Sequence, residues 1–174
     1  MIIDNAREIA ETQGWEMVTV RRLAEAIEYS QPVLYSHFSG KDAIVAAVAE
    51  QGCAEMAELF RRLRVAASTP DEALTAVARG YLEFARNSPA LYDAMFVQRV
   101  DLKFGPEAPQ ALRDAFGELA AVFAPFAGGD DVETFTEVAW SSLHGLAMLD
   151  HDGRLRPDFR RQRLDILVRN WTRA

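Results

Sequence analysis

The stretch TVRRLAEAIEYSQPVLYSHFSGK, residues 19–41, decides the fold of this chain, because it encodes two short helices around a tight turn. In its first half, apolar side chains recur at i, i+3, i+4 and i+7, which gives a helix one apolar face. These side chains are Val20, Leu23, Ala24 and Ile27. Thr19 precedes the run and is suited to accept a backbone N–H as an N-cap. The pattern therefore predicts a helix that begins after Thr19.

The second half of the stretch predicts another short helix. Ser30 can cap it, and Pro32 falls in its first turn, where a missing N–H costs little. Leu34 and Phe38 are four residues apart, so they share one face and leave the other side chains outside. Two short helices with a buried seam and an exposed face are typical of a helix-turn-helix, whose second helix enters the DNA major groove. An ordinary helical hairpin inside a bundle has the same spacing.

The stretch resembles the DNA-binding segment of the tetracycline-repressor (TetR) family of transcriptional regulators. The matching residues are Thr19-Val20, Leu23-Ala24, Ser30, Leu34-Tyr35, His37-Phe38 and Lys41 with the apolar run after it. The resemblance implies an all-α fold of about nine helices. It also implies a helix-turn-helix DNA-binding domain at residues 1–46, followed by a helical ligand-binding and dimerisation domain at residues 47–174.

The same resemblance implies which side chains face DNA. The set is Thr19, Arg21, Gln31, Pro32, Val33, Tyr35, Ser36, His37 and Lys41. Gln31 can pair with an adenine edge, and Val33 can touch a thymine methyl group. Thr19, Tyr35 and Lys41 are suited to phosphate contacts, whereas His37 either reaches a phosphate or packs.

The charge distribution favours a rival interpretation. The net charge is −7, and residues 1–50 contain four basic and eight acidic side chains, although phosphate contacts supply much of DNA affinity. Glu28 stands where the family usually has Gly, Pro32 replaces a small residue on the reading face, and the family's basic N-terminal arm is expected to be absent or very short. The alternative is a helical small-molecule-binding or protein-interaction dimer that has lost useful DNA affinity.

Further along the chain, caps and breakers predict six more helices. A long one runs from Lys41 to about Arg64, with Ser39 as its N-cap and Asp42 as the capping-box acid. The others are predicted at about 70–87, from 89, at 110–126, at 130–151 and from 157. A loop is predicted at residues 101–109, which contain two prolines and a glycine.

Aromatic and Met side chains in the second domain either form ordinary core or line a ligand pocket. The pocket set is Phe60, Tyr81, Phe84, Tyr92, Met95, Phe96, Phe116, Trp140 and His144. The run WSSLHGLAML, residues 140–149, resembles the Trp…His-Gly signature of one C-terminal domain type in the same family. Helices near 131–152 and 157–173 are predicted to form a two-fold dimer interface, which doubles the DNA site.

No catalytic constellation, metal-ligand spacing or cofactor motif is found in the sequence, so an enzyme is not expected. The single Cys53 rules out an internal disulfide and fits a packed side chain in a reducing cytoplasm. No apolar run is long enough for a membrane span. The sequence thus predicts a cytoplasmic homodimeric regulator, a repressor that a small-molecule ligand releases from a palindromic operator of double-stranded DNA.

Overall fold

A computed structural model describes residues 1–98, 103 and 105–173, and these residues form α-helices and short 3₁₀ turns without a strand. The helices are α1 (Ile2–Gln13), α2 (Val20–Ala26), α3 (Gln31–His37), α4 (Lys41–Ala66), α5 (Pro70–Asn87), α6 (Pro89–Phe96), α7 (Gln110–Phe123), α8 (Val132–His151) and α9 (Arg160–Trp171). The all-α prediction is confirmed. No helix in the described ranges combines the length and hydrophobicity that a membrane span requires.

The N-cap of α4, the end of α7 and the start of α9 differ from the prediction. α9 begins at Arg160, after a 3₁₀ turn over Pro157–Phe159, and not at residue 157. α4 begins at Lys41, so Gly40 rather than Ser39 takes the N-cap position, and the carbonyl of Gly40 accepts from the amide of Ile44 at 3.3 Å. Asp42 consequently sits one position too early for a capping box. α7 ends at Phe123 and is followed by a 3₁₀ turn over Ala124–Phe126, because Pro125 has no N–H to continue the helix.

The predicted loop at 101–109 lies partly outside the described residues. Of its span, residues Gly105–Glu107 form a 3₁₀ turn, and Ala108 is buried. Residues 101, 102 and 104 are not described.

The first compact unit comprises residues 1–54 and 88–113. Its core is built from the apolar faces of α1 to α4, and α6 packs against α1. The fully buried side chains include Leu23, Leu34, Ile44 and Leu91. Leu23 and Leu34 form the seam between α2 and α3 that the apolar spacing predicts.

The second compact unit comprises residues 55–87 and 114–174. α5 lies at its centre and packs against α8 and α9. Phe60 and Tyr81 are fully buried and stack with ring centroids 6.2 Å apart. The rings of Phe123 and Trp171 meet edge to face at 5.1 Å. These contacts give the unit a core of its own.

The boundary between the two compact units lies later in the chain than the predicted domain boundary. A boundary at residue 46 falls inside α4, which is one continuous helix of 26 residues. The structural division lies between Ala54 and Glu55, and residues 88–113 are added to the first unit because α6 packs on α1.

Candidate nucleic-acid interface

The turn between α2 and α3 is a Schellman motif. The amide of Tyr29 donates to the carbonyl of Ala24 at 2.9 Å, and the amide of Glu28 donates to the carbonyl of Glu25 at 3.4 Å. Glu28 occupies the C′ position with φ of 56°, in the left-handed region that favours glycine. The turn therefore forms with Glu28 in place of glycine, and the backbone of Glu28 is strained.

Caps set the start of both helices. Thr19 has extended backbone, and its hydroxyl oxygen accepts from the amide of Arg22 at 3.2 Å, which confirms the predicted cap. Ser30 takes the N-cap position of α3, but its side chain makes no capping hydrogen bond. Instead, the carbonyl of Ser30 accepts from the amide of Val33 at 3.0 Å.

α3 has seven residues and is anchored by one of them. Leu34 is completely buried, whereas the other six side chains are exposed. Tyr35 is 55% exposed and Val33 39% exposed, which leaves apolar surface on the outer face of a short polar helix. The exposed set contains Gln31, Pro32, Val33, Tyr35, Ser36 and His37. A helix held at one point with its whole outer face free can enter a groove.

The nearby cations are held by neighbouring groups. Arg21 donates to the Glu25 carboxylate at 2.9 Å, and this hydrogen bond raises the pKa of the Arg21 guanidinium. Arg22 donates to the side-chain oxygen of Gln13. Lys41 donates to the main-chain carbonyl of Trp15 at 2.5 Å. Less cationic charge is therefore free for phosphates than the sequence count indicates.

Sequence reasoning missed three features of this unit. Tyr29, in the turn before α3, is 46% exposed. An aromatic residue in a turn was the sequence signal that could have identified this exposed side chain. Met17 is 43% exposed in the connection before α2. The hydrogen bond from Lys41 to Trp15 joins residues 26 positions apart, and no local sequence pattern predicts it.

The predicted pocket residues are divided between the two units. Tyr92, Met95 and Phe96 lie in the first unit, where the rings of Tyr92 and Phe96 are 4.8 Å apart. The second unit holds Phe60, Tyr81, Phe84, Phe116, Trp140 and His144.

Within the second unit, three of these side chains form a polar and aromatic cluster. The indole N–H of Trp140 donates to the hydroxyl of Tyr81 at 2.9 Å. The imidazole of His144 lies 6.4 Å from the Trp140 ring, and its burial lowers the pKa of the imidazole. Neutral His144 can donate or accept a hydrogen bond in this apolar setting.

Cys53 is buried in α4, and desolvation raises the pKa of its thiol to about 12, which confirms a packed side chain. Across the described part of the chain, no group of three His, Cys, Asp or Glu side chains is placed to hold a metal ion.

Comparison with known proteins identifies the two halves of the chain. Residues 2–48 match the family described as "Bacterial regulatory proteins, tetR family". Residues 74–170 match "Tetracyclin repressor-like, C-terminal domain". The first match contains α1, α2 and α3, and therefore favours the helix-turn-helix over an ordinary hairpin.

Individual relatives agree with this assignment. The chain is 27% identical over 154 residues to the uncharacterized HTH-type transcriptional regulator Rv0681 of Mycobacterium tuberculosis, covering 87% of this chain and 69% of that one. It is 34% identical over 97 residues to the HTH-type transcriptional repressor AcnR of Corynebacterium glutamicum, covering 56% of this chain and 45% of the repressor.

Two solved structures share the fold. A protein of unknown function from Rhodococcus sp. RHA1 superposes with a TM-score of 0.80 at 21% identity, over 99% of this chain and 92% of that one. The TetR family regulator PfmR from Thermus thermophilus superposes with a TM-score of 0.64 at 19% identity, over 98% and 94% of the two chains. The chain belongs to the TetR family of DNA-binding transcriptional regulators.

Proposed function

We propose that the chain is a repressor that binds a palindromic DNA operator as a homodimer and leaves it when a small molecule binds. The observation that carries the DNA part is the outer face of α3, where six of seven side chains are exposed around the buried Leu34. The exposed Tyr35 and Val33 on this face are free to contact a phosphate and a base edge when the helix enters a groove.

Base reading falls to the start of α3 in this proposal. Gln31 pairs with an adenine edge and Val33 meets a thymine methyl group. Pro32 and Ser36 lie beside them on the exposed surface. Tyr35, Thr19 and His37 supply polar groups to phosphates, and their hydrogen bonds set the register of α3 in the groove.

Charge plays a small part in the binding. Arg21 and Lys41 are the cations that we assign to phosphate, and each also has an internal partner. With two such cations in the DNA-binding domain of each protomer, a dimer neutralises at most about four phosphates. This gives a slope of log K against log salt concentration of roughly −2 to −4.

Dimerisation is assigned to α8 and α9, the helices near 131–152 and 157–173. Val138 is 63% exposed, and Leu149 and Ile166 are about two-fifths exposed, which leaves apolar surface on both helices. On α8, Val138, Gly145 and Leu149 are spaced by seven and four residues, so they lie along one stripe. Two such helices from each copy can form a four-helix interface about a two-fold axis.

The effector is a small molecule, and we assign to it the members of the predicted pocket set that lie in the second unit: Phe60, Tyr81, Phe84, Phe116, Trp140 and His144. Its source of specificity within the second unit is the cluster of Tyr81, Trp140 and His144, where polar atoms lie beside the buried Tyr81 ring and two half-buried rings. By linkage, the effector releases DNA only if it binds the DNA-free conformation more tightly than the DNA-bound one. We place the protein in the cytoplasm in this proposal, because the DNA that it binds lies there.

The experiment is a DNA-binding titration at two salt concentrations. The probes are the DNA that flanks this protein's own gene, duplexes that the protein selects from a random pool, and a scrambled duplex. We expect selective binding that Gln31→Ala weakens at least tenfold, with Asn87→Ala, an exposed amide side chain at the end of α5, as the matched control. If no duplex from either source exceeds the scrambled control at low salt, the repressor proposal is wrong and the rival ligand-binding or protein-interaction dimer replaces it.

A further inference from the structure

The connection between α8 and α9 and the first turn of α9 are rich in arginine. Residues 153–163 contain five arginines and one acidic residue, Asp158. We call these residues the arginine corner. The stretch before it, residues 114–152, contains eight acidic residues and neither Lys nor Arg. The sign of the charge therefore reverses at the end of α8, in a chain whose net charge is −7.

The backbone of the arginine corner is held by hydrogen bonds. The amide of Gly153 donates to the carbonyl of Asp150 at 3.1 Å, and the amide of Arg154 donates to the carbonyl of Leu149 at 2.9 Å. These two bonds form a Schellman motif, with Gly153 in the left-handed region at φ of 67°. A 3₁₀ turn over Pro157–Phe159 then leads into α9. The arginines are thus presented from defined backbone positions.

Asp150 holds two of the five arginines. Its carboxylate accepts from Nε of Arg160 at 2.7 Å and from the guanidinium of Arg163 at 3.3 Å. Arg163 also donates to the carbonyl of Arg156 at 2.8 Å. The side chains of Asp150 and Arg163 are both about one-fifth exposed, so this network joins the end of α8 to the start of α9. Arg160 and Arg163 are therefore structural, and their charge is partly neutralised.

The other three arginines lie at the surface within eight residues of one another. The Arg154 side chain is 71% exposed and lies 3.5 Å from Asp152. The Arg156 guanidinium lies 4.1 Å from the centroid of the Phe159 ring. Arg161 is exposed, and its side chain forms no hydrogen bond or ion pair with the described residues. A guanidinium stacked on a ring keeps the N–H groups at its edge free for a carboxylate.

The composition of the surface favours a protein over a nucleic acid. Duplex DNA presents closely spaced negative charge, and the exposed Asp152 and Asp158 would repel it. A protein segment can place its carboxylates against the arginines alone and leave these two aspartates to solvent. Phe159 is 37% exposed, and an aromatic ring beside arginine is typical of the residues that contribute most to protein–protein binding.

We propose that the arginine corner is a docking surface for an acidic segment of a partner protein, in which Asp or Glu side chains alternate with apolar ones. Arg154, Arg156 and Arg161 bind the carboxylates of this segment, and its apolar side chains contact the Phe159 ring. Because the arginines are exposed, the binding weakens as salt screens these charges. The proposal goes beyond DNA reading and effector binding, since neither uses this surface.

The test is fluorescence anisotropy with the full chain and a labelled peptide of repeated Asp-Glu-Leu units. A peptide in which Asn and Gln replace the acids is the reference. We expect the acidic peptide to bind at low salt and to dissociate as salt rises. The double variant Arg154→Ala/Arg156→Ala should weaken binding about fivefold, because each exposed ion pair contributes a few-fold. Arg61→Ala/Arg62→Ala removes two exposed arginines from α4 and should bind as the unmodified protein does.

Several results would overturn the proposal. It is wrong if the acidic peptide binds no better than the amide peptide at low salt, or if both double variants bind it equally. It is also wrong if the corner variant loses affinity for a scrambled duplex by a larger factor than for the peptide, because the surface would then bind nucleic acid. Dissociation of a dimer by the corner variant in analytical ultracentrifugation would place the corner in an interface between copies instead. Arg161→Ala repeats the test should the double variant fold poorly.

Discussion

The ammonium of Lys41 donates a hydrogen bond to the main-chain carbonyl of Trp15, at 2.5 Å. This bond fixes the first residue of α4 to the connection between α1 and α2, so α1, α2 and α4 are joined at one point. It also gives a cation that is suited to phosphate a partner inside the protein. Lys41 therefore affects both the stability of the DNA-binding domain and its affinity for DNA.

Replacing Lys41 by Ala should lower the free energy of unfolding by about 1–2 kcal/mol, since a charged hydrogen bond is lost and a half-buried carbonyl loses its donor. Chemical denaturation measures this change. The same variant should flatten the salt dependence of DNA binding, by about 2 in the slope for a dimer. Lys103→Ala is the matched control, because Lys103 pairs on the surface with Glu107 and should change neither quantity. Equal effects in the two variants would contradict a special role for the Trp15 bond.

Local signals were enough to place most helices. At the start of α5, the Thr69 hydroxyl oxygen accepts from the amide of Glu72 at 3.2 Å, and Pro70 is the first helical residue, as the cap pattern predicts. The Asp131 carboxylate caps α8 by accepting from the amide of Thr134 at 2.9 Å. These bonds span three residues, so a sequence window contains both partners.

The hydrogen bonds between Glu11 in α1 and the first turn of α6 could not be predicted in this way. Glu11 sits on α1 as an ordinary acid, and its partners Ala90 and Leu91 lie almost 80 residues later. The same holds for the division of the chain, because α6 joins the first unit through packing on α1 and not through any feature of its own pattern. Pattern reasoning finds the helices and the exposed face of α3, whereas contacts between distant helices need the coordinates.

Glu28→Gly should stabilise the protein. Glu28 holds φ at 56°, where a residue with a Cβ is strained by about 1–2 kcal/mol and glycine is not. Glycine gains entropy in the unfolded chain, which offsets part of this, so we expect a net gain of about 0.5–1 kcal/mol. Thermal unfolding measures it. Glu28→Ala removes the same charge but keeps the Cβ, and it should give no such gain.

The same pair of variants separates strain from charge in DNA binding. If the acid in the turn repels phosphate, Glu28→Gly and Glu28→Ala should both tighten binding at low salt and converge with the unmodified protein at high salt. Tighter binding in the glycine variant alone would show that the backbone of the turn, and not its charge, limits the fit of α3.

His144 should make the second unit sensitive to mild acid. Burial lowers the pKa of its imidazole in the folded state below the ordinary value of 6.5. The folded protein thus favours the neutral ring, and its contribution to stability is present above pH 6.5 and is lost as the pH falls through the folded pKa. His144→Gln should flatten the fall in unfolding temperature between pH 7 and 5. His151→Gln, at an exposed site on the same helix, should leave that fall unchanged.

Gly145 tests the dimer surface. It lies inside α8, where glycine costs about 1 kcal/mol relative to Ala, yet a Cβ added to it would meet no atom of the described residues within 4 Å. The described part of the protomer therefore gives no packing reason for glycine here, and we propose that the reason is a close approach by the facing helix of a second copy. Gly145→Leu should consequently yield a folded monomer in analytical ultracentrifugation. Gly117→Leu is the control, because Gly117 is also inside a helix with open space around it but lies on α7, outside the proposed interface. A Gly145→Leu protein that remains a dimer would move the interface away from this stripe of α8.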